Sequence, residues 1–323
     1  MKSLLSGAAA LALLLSGCSP AADVPPPAPA ARVAPKIGAG IAPKISAGAV
    51  KPGGRINGAP ALWVLRDPDT TVYLFGTVHV LRPDIDWFDG PVRTAYDASG
   101  QLLLEMVEPE GPAAQAVVVK VAEDPNGPPL TRKLSPALLA KYQAAMAKAH
   151  LPVAGFEKLE PWFVASILSL TPLQELGYDG SNGAEAVLTK AAKASGKRIG
   201  GLETFEQQLS FFDALPEPVQ LRFLESTIDE QKDVANTFGE LIRDWSRGDP
   251  DALGVEINKG LRDIPEIGKV LLTDRNARWA QQIADMMAKP GTSFIAVGAG
   301  HLAGTDSVQR MLAKRGFKVT RVQ

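Results

Sequence analysis

The chain has 323 residues, of which 46% are hydrophobic, and a formal net charge of −1 at neutral pH. This hydrophobic content is enough to fill a sizeable core. The charges are mixed, with no long run of one sign, so the basic footprint of a nucleic-acid-binding protein is missing and no nucleic-acid partner is expected.

Residues 1–18 have the pattern of a bacterial lipoprotein signal peptide. An apolar stretch from Leu4 to Leu15, too short to span a bilayer, leads to Ser16-Gly17-Cys18. Cys18 is the only cysteine of the chain and follows small residues where cleavage is expected, which predicts lipid attachment at Cys18. The alternative is an ordinary secretory signal with an incidental thiol. A chain with one cysteine has no disulfide framework, so its core must hold the fold together.

Residues 19–55 are rich in proline, alanine and glycine, as in Val24-Pro25-Pro26-Pro27-Ala28-Pro29, which predicts an extended, semi-rigid tether. Residues 56–323 then form the predicted globular domain. The residue after Cys18 is Ser19 and not the aspartate that commonly retains lipoproteins in the inner membrane. We therefore expect a protein anchored by lipid to the bacterial envelope on its periplasmic side, with the outer membrane favoured.

The first part of the globular region is predicted to form a βαβ unit. Thr71 to Phe75 and Gln101 to Leu104 are short apolar runs typical of buried strands, and a helical pattern starting near Pro91 connects them. Two strands joined by a helix predict a parallel sheet.

The middle of the chain is predicted to be mostly helical. Ser135-Pro136 and Asp249-Pro250 are typical of helix starts. A single strand, Lys197 to Leu202, interrupts the helices. Helical spacing of apolar residues covers Pro136 to His150, Pro161 to Leu170, Ala184 to Ser195, Pro216 to Trp245 and Asp249 to Gly260.

The last part repeats the outline of the first. It contains a helix from Asp274 to Lys289, a strand from Ser293 to Val297, a helix from Ser307 to Arg315 and a final strand from Lys318 to Val322. We therefore predict an α/β fold whose central parallel or mixed sheet is built from the two ends of the chain, with a helical insertion in the middle.

Two of the three histidines share one local pattern. Phe75-Gly76-Thr77-Val78-His79 and Val297-Gly298-Ala299-Gly300-His301 each read as the end of a buried strand, a glycine, two residues and a histidine, a pattern written GxxH below. Ligands of open α/β sheets bind outside the carboxyl ends of the strands, and both histidines are predicted to lie there.

Two carboxylates follow other predicted strands. Glu105 ends the run Leu102-Leu103-Leu104, and Glu203 follows Leu202. Two imidazoles and two carboxylates at neighbouring strand ends suit a divalent ion such as Zn²⁺, Mn²⁺ or Co²⁺. Such an ion lowers the pKa of a bound water, and a carboxylate that is not a ligand can take the proton. The alternative is that these residues are turn residues and helix caps.

Arg275 belongs to the segment Asp274-Arg275-Asn276, which opens the helix before the second GxxH strand. It is either a surface charge or a group that orients a carboxylate or binds a substrate oxygen through its planar fork. Aromatic residues of the helical middle are mostly core, but some could line an apolar groove for a peptide or acyl substrate.

These segments resemble the TraB/GumN (PrgY) family, whose relatives include the Tiki metalloproteases and, more distantly, erythromycin esterase-like and ChaN-like proteins. The resemblance covers residues 60–323. It rests on the two GxxH segments, Leu104-Glu105, Gly201-Leu202-Glu203-Thr204 and Asp274-Arg275-Asn276. It implies an α/β core made of two GxxH-bearing halves with a helical insertion, and a metal site.

Carried over by position, the resemblance matches His79 and His301 to the paired histidines of the family and Glu105 to the acidic residue after the second strand. Arg275 matches the arginine of the family's E/D-R-N motif, and Glu203 its L-E-T segment. One departure is Gly183-Ala184-Glu185, where a Gly-Ile-Asp step is expected. The role of Glu185 is left open.

The leading hypothesis is a metal-dependent hydrolase that acts on peptide bonds. Its divalent ion (Mn, Co or Zn) would be bound by His79, Glu105 and His301, with Glu203 as ligand or general base and Arg275 stabilising the transition-state charge. The alternatives are a non-catalytic lipoprotein that sequesters a peptide or haem, and a hydrolase of non-peptide esters. The expected partners are a peptide or small-molecule substrate and a membrane reached through the lipid anchor.

Overall fold

A mixed sheet organises the structure, a computed structural model that describes residues 55–261 and 263–323. The strand order is β6-β5-β7-β3-β2-β8. The first four strands run parallel, and β2 is antiparallel to both of its neighbours. Strands β1 and β4 pair separately, in parallel. The strands are β1 Ile56–Asn57, β2 Leu62–Arg66, β3 Thr70–Thr77, β4 Ile85–Asp86, β5 Gln101–Leu104, β6 Arg198–Gly201, β7 Gly291–Gly298 and β8 Val319–Arg321.

The helices come mainly from the middle of the chain. They are α1 Gly90–Ala98, α2 Pro112–Ala122, α3 Leu130–Lys133, α4 Pro136–Lys148, α5 Pro161–Glu175, α6 Ala184–Ser195, α7 Phe205–Asp213, α8 Glu217–Glu230, α9 Val234–Ser246, α10 Pro250–Leu261, α11 Pro265–Gly268, α12 Asp274–Met286 and α13 Val308–Lys314. Short 3₁₀ turns cover Val153–Phe156, Gly180–Asn182 and Ala299–Leu302, and a π-helical turn covers Lys269–Thr273.

The two strands that lead into the GxxH segments are neighbours in the sheet. Strand β3 pairs with β7 in parallel over its whole length, with Thr77 opposite Gly298. Both strands are buried on both faces, as expected for the centre of a sheet covered on two sides. The two GxxH loops therefore leave the sheet side by side.

The sheet separates two apolar clusters. Successive side chains of a strand point to opposite faces, so Tyr73 and Phe75 pack against the helical middle of the chain, whereas Val72 and Leu74 pack on the other side. Helices α12 and α13 cover that second side. Burial of each large apolar side chain contributes about 1.5–3 kcal/mol to the free energy of folding. Packing on both faces of the sheet therefore fixes the positions of the strand ends.

The predicted fold class is confirmed: the sheet is mixed, contains both GxxH strands, and carries the helical insertion on one face. The predicted helix starts are also confirmed, since Ser135 Oγ accepts a hydrogen bond from the Leu138 N–H and Asp249 Oδ1 accepts one from the Ala252 N–H.

Several details of the prediction were wrong. Strand β2 was missed, because its short apolar run has no clear alternation. The predicted helix from Pro216 to Trp245 is two helices, α8 and α9, which pack mainly on different partners. The apolar spacing continues through the break and gives no sign of it. Helix α5 extends beyond Leu170 and contains Pro172.

The predicted signal peptide, Cys18 and all but the last residue of the predicted tether lie outside the described residues. Among the residues that the structure describes, no helix combines the length and apolar character needed to cross a bilayer.

Candidate functional site

The structure brings His79, Glu105, Glu203, Arg275 and His301 together at the carboxyl ends of β3, β5, β6 and β7. Glu105 Oε1 lies 3.5 Å from His301 Nε2, and both carboxylates contact Arg275. His79 lies close enough to His301 to lower the pKa of that imidazole. The cluster is buried, with exposed fractions from 0% for His301 to 9% for Glu203. The two histidines and two glutamates come together because the parallel strands end at one edge of the sheet, and Arg275 reaches them from helix α12.

Arg275 is the centre of this cluster, and its five N–H groups all have acceptors. Nη2 donates to Glu105 Oε2 at 2.7 Å and to Glu203 Oε2 at 2.8 Å, and Nε donates to Glu203 Oε2 at 3.0 Å. Nη1 lies 3.2 Å from both the Leu271 carbonyl oxygen and His301 Nε2. The side chain is 1% exposed. All of its N–H groups therefore face acceptors of the protein itself.

A π-helical turn sets the position of Arg275. The turn covers Lys269–Thr273, and the Asp274 N–H bonds to the Lys269 carbonyl oxygen, five residues back. The next turn of α12 brings Trp279 under the guanidinium, with Cζ 4.7 Å from the ring centroid. Single π-helical turns inside helices are frequent at functional sites. Apolar spacing does not reveal such a turn, and the prediction missed it.

Glu105 ties strand β5 to the second GxxH segment. Its Oε1 accepts the backbone N–H of Gly298 at 2.7 Å, and its Oε2 accepts Gln208 Nε2 at 2.8 Å as well as Arg275. A carboxylate that is 1% exposed needs such donors, because an unpaired buried charge is costly. Gln208 lies on α7, which sequence reasoning did not predict as a helix.

His301 is held in one tautomer by Asn276. The Asn276 amide nitrogen donates to the Asp306 carbonyl oxygen at 2.8 Å, which leaves its oxygen facing His301 Nδ1 at 2.6 Å. An amide oxygen only accepts, so Nδ1 carries the proton and the Nε2 lone pair points at Arg275. Burial, together with the charges of Arg275 and His79, lowers the pKa of His301 well below its ordinary value. His301 is therefore a neutral imidazole at neutral pH.

His79 has an acidic partner. Its Nδ1 lies 2.6 Å from Glu185 Oε1, and the Thr77 hydroxyl donates to the same oxygen. Burial disfavours the charged ring, but the Glu185 carboxylate outweighs burial, and the pKa of His79 is raised. Burial likewise disfavours the Glu185 carboxylate, yet His79 and Thr77 lower its pKa. The pKa values of the two GxxH histidines are thus shifted in opposite directions: that of His79 is raised and that of His301 is lowered.

The first turn of α6 is docked on the first GxxH loop. The Ala184 N–H donates to the Val78 carbonyl oxygen at 2.9 Å, and a Cβ added at Gly183 would overlap the carbonyl oxygen of His79. This close approach requires glycine at position 183 and brings Glu185 to His79. The sequence left the role of Glu185 open, although an acidic residue in the first turn of α6 was a usable signal.

Glu203 lies at the edge of the cluster. Burial is the largest influence on its carboxyl group and raises its pKa, with the negative charge of Glu105 acting in the same direction and Arg275 against it. Arg278, which is on the exposed face of α12, approaches Glu203 to 3.6 Å.

The predicted ligands do not fit a divalent ion in this arrangement. Within residues 55–261 and 263–323, no three His, Cys, Asp or Glu side chains are placed to share one ion. The physical reason is Arg275: Glu105 Oε2 and the His301 Nε2 lone pair both face its N–H groups. An ion would need those same lone pairs.

Residues 61–321 match the TraB/PrgY/gumN family. The chain belongs to this family. Its relatives include an uncharacterized protein of Treponema pallidum, 24% identical over 274 residues that cover 78% of this chain and 80% of the relative. The uncharacterized protein YbaP of Escherichia coli is 26% identical over 183 residues, or 57% of this chain and 67% of YbaP.

A zebrafish relative carries a functional name. Metalloprotease TIKI1 of Danio rerio is 23% identical over 313 residues, covering 80% of this chain and 62% of that protein. No solved structure was found to match the chain significantly. The expected resemblance to the TraB/PrgY/gumN family is confirmed, and its two GxxH segments are the adjacent loops described above. The more distant link to erythromycin esterase-like proteins stays a prediction.

Proposed function

We propose that this TraB/PrgY/gumN protein is a hydrolase that cleaves peptide bonds, with His79 as the general base. The observation that carries the proposal is the His79–Glu185 pair, 2.6 Å apart, beside a second imidazole held neutral. In its neutral form, an imidazole whose Nδ1–H bonds to a carboxylate is a stronger base at Nε2, and the carboxylate stabilises the imidazolium that forms when Nε2 takes a proton.

Glu203 supplies the second proton-transfer group. Burial raises its pKa, so its carboxylate, ionised beside Arg275, takes up a proton during the reaction more readily than an ordinary glutamate and can pass that proton to a leaving amine. Half-buried Phe211, stacked under the guanidinium of Arg278 at 4.8 Å, offers an apolar surface next to Glu203 for a substrate side chain. The similarity to a protein named a metalloprotease supports the choice of peptide bonds over esters.

The test is a peptide-library assay on the full-length chain in mild detergent, with products identified by mass spectrometry. Each variant is assayed with a chelator and with added Mn²⁺, Co²⁺ or Zn²⁺, because a relative is named a metalloprotease. His79→Ala should lose about a hundredfold or more in rate, the usual contribution of a general base. Glu185→Gln should lose less, because the base remains but its partner is neutral.

His150→Asn is the matched control, since His150 is exposed, lies outside the site and has a left-handed φ of 56° that asparagine tolerates. It should leave the rate unchanged. Stoichiometric peptide binding without product, under every ion condition, would replace the hydrolase with a peptide-sequestering protein.

The hydrolase acts at the bacterial envelope, anchored by a lipid on Cys18 and facing the periplasm from the outer membrane. This part of the proposal rests on the sequence of residues 1–55 alone. Cys18→Ser should abolish labelling by a radioactive fatty acid and move the protein out of the membrane fraction. Labelling that persists in Cys18→Ser would refute the anchor.

A further inference from the structure

The space between Glu105, Glu203 and His301 is filled by the guanidinium of Arg275. Two carboxylate oxygens approach the same nitrogen, Nη2, at 2.7 and 2.8 Å, and the imidazole lone pair faces the neighbouring Nη1 at 3.2 Å. The two glutamates are also joined through their backbones, because the Glu203 N–H donates to the Glu105 carbonyl oxygen at 2.8 Å. Three acceptors from three different strand ends thus converge on one cation.

The same acceptors are a suitable ligand set for a metal. Two carboxylate oxygens and a neutral imidazole nitrogen are the donors that Zn²⁺, Mn²⁺ and Co²⁺ accept. Metal–ligand bonds of about 2.0–2.2 Å are shorter than the contacts to Arg275, so all three side chains would have to move inward to bind one ion. Asn276 already fixes the tautomer that leaves His301 Nε2 unprotonated.

The charges of the cluster favour one cation between Glu105, Glu203 and His301 and disfavour two. Glu105 and Glu203 bring two negative charges into a region where Arg275 is 1% exposed, and His301, whose Nε2 faces an N–H of Arg275, contributes none. A divalent ion next to the guanidinium would meet strong repulsion at low dielectric. The ion and the arginine side chain therefore exclude each other.

The geometry points to Arg275 as the resident cation of this site: it occupies the place of a divalent ion, and its removal creates a metal site formed by Glu105, Glu203 and His301. The TraB/PrgY/gumN chain would then hold this cluster together without metal. The inference does not depend on the proposed peptide hydrolysis, because it concerns which cation fills the cluster.

The experiment measures ion binding and thermal stability, with no activity assay. The full-length chain is stripped with a chelator, desalted, and exposed to a small excess of Zn²⁺ or, separately, Mn²⁺. Bound metal is then counted by mass spectrometry and the Tm is read by circular dichroism. The natural chain should retain no ion, and its Tm should not change. Arg275→Ala should retain about one ion per chain, and its Tm should rise by about 5–10 °C at a hundredfold excess of ion over Kd.

Two further variants test the assignment of the ligands. Arg275→Ala combined with His301→Ala should lose the ion. Arg278→Ala should behave like the natural chain, because Arg278 also approaches Glu203, at 3.6 Å, but its side chain is 46% exposed. Retention of an ion by Arg278→Ala would mean that any loss of positive charge near Glu203 suffices, which would overturn the specific role of Arg275.

Arg275→Ala leaves two buried carboxylates without their partner, so it can be too unstable to purify. Arg275→Ala combined with Glu203→Gln removes one charge of each sign and is then measured in its place, with Glu105 and His301 as the expected ligands. The inference is overturned if the natural chain itself retains a stoichiometric ion that His301→Ala removes. It is also overturned if neither Arg275 variant binds an ion.

Discussion

Replacing Glu105 with glutamine removes one buried charge while keeping the size of the side chain. The carboxylate accepts from Gly298, Gln208 and Arg275 at 2.7–2.8 Å and is 1% exposed. The amide NH₂ that replaces one carboxylate oxygen faces either the Gly298 N–H or the N–H groups of Gln208 and Arg275. At least one buried donor must therefore lose its acceptor, and Arg275 keeps only one carboxylate.

The expected cost can be worked from these contacts. Breaking a buried ion pair by removing one partner costs about 3–5 kcal/mol. The cost of Glu105→Gln should lie near the lower end, about 3 kcal/mol, because Glu203 still neutralises Arg275. For a domain of this size that corresponds to a fall in Tm of roughly 6–12 °C. The free energy of unfolding is measured by urea denaturation followed by tryptophan fluorescence.

Glu110→Gln is the matched control. Glu110 follows the same strand and pairs with Lys193, but the two side chains are 88% and 65% exposed. Solvent screens such a pair, so its loss should change the free energy of unfolding by less than about 0.5 kcal/mol. A loss below about 1 kcal/mol in Glu105→Gln, well under the cost of an unpaired buried charge, would refute the central ion-pair cluster.

Two further predictions concern the surroundings of the site. Gly183→Ala should cost about 2 kcal/mol in the free energy of unfolding, because its Cβ overlaps the His79 carbonyl oxygen. Gly239→Ala, inside α9 with no atom near the added Cβ, should instead stabilise by roughly 0.5 kcal/mol, and equal effects of the two would contradict the close approach. Burial raises the pKa of Glu108 from 4.5 to about 7, so the folded state binds a proton that the unfolded state releases. Stability is therefore lost as pH rises from about 4.5 through 7. Glu108→Gln should stabilise the protein by about 1 kcal/mol at pH 8 and leave its stability unchanged at pH 4. This gain is smaller than the pKa shift alone would give, because Glu108 is partly exposed. Parallel urea titrations at the two pH values that show the same gain would contradict this effect.

Much of the site could be predicted because the ends of buried strands can be recognised in a sequence. A buried parallel strand is a short apolar run, and the residue that follows it lies at the carboxyl edge of the sheet. His79, Glu105, Glu203 and His301 were found by this rule. The strand bounds were close as well: β5 was predicted residue for residue, and β7 extends beyond the predicted Ser293 to Val297 at both ends.

The partners of these residues could not be predicted in the same way. Gln208 and Asn276 lie on helices, and the contacts they make depend on how α7 and α12 pack on the sheet. Glu185 was noticed only as a departure from the family pattern. Its contact with His79 depends on the docking of α6 on the GxxH loop.

The sequence by itself determined the α/β class, the two GxxH strands and the set of polar residues at one edge, because periodicity and strand ends are local properties of the chain. Only the tertiary structure decided which cation those residues surround. Arg275 reaches the centre through a π-helical turn and the packing of α12, and it takes lone pairs that a metal would need. Local residue patterns carry no information about such competition in space, since it arises between groups up to 170 positions apart.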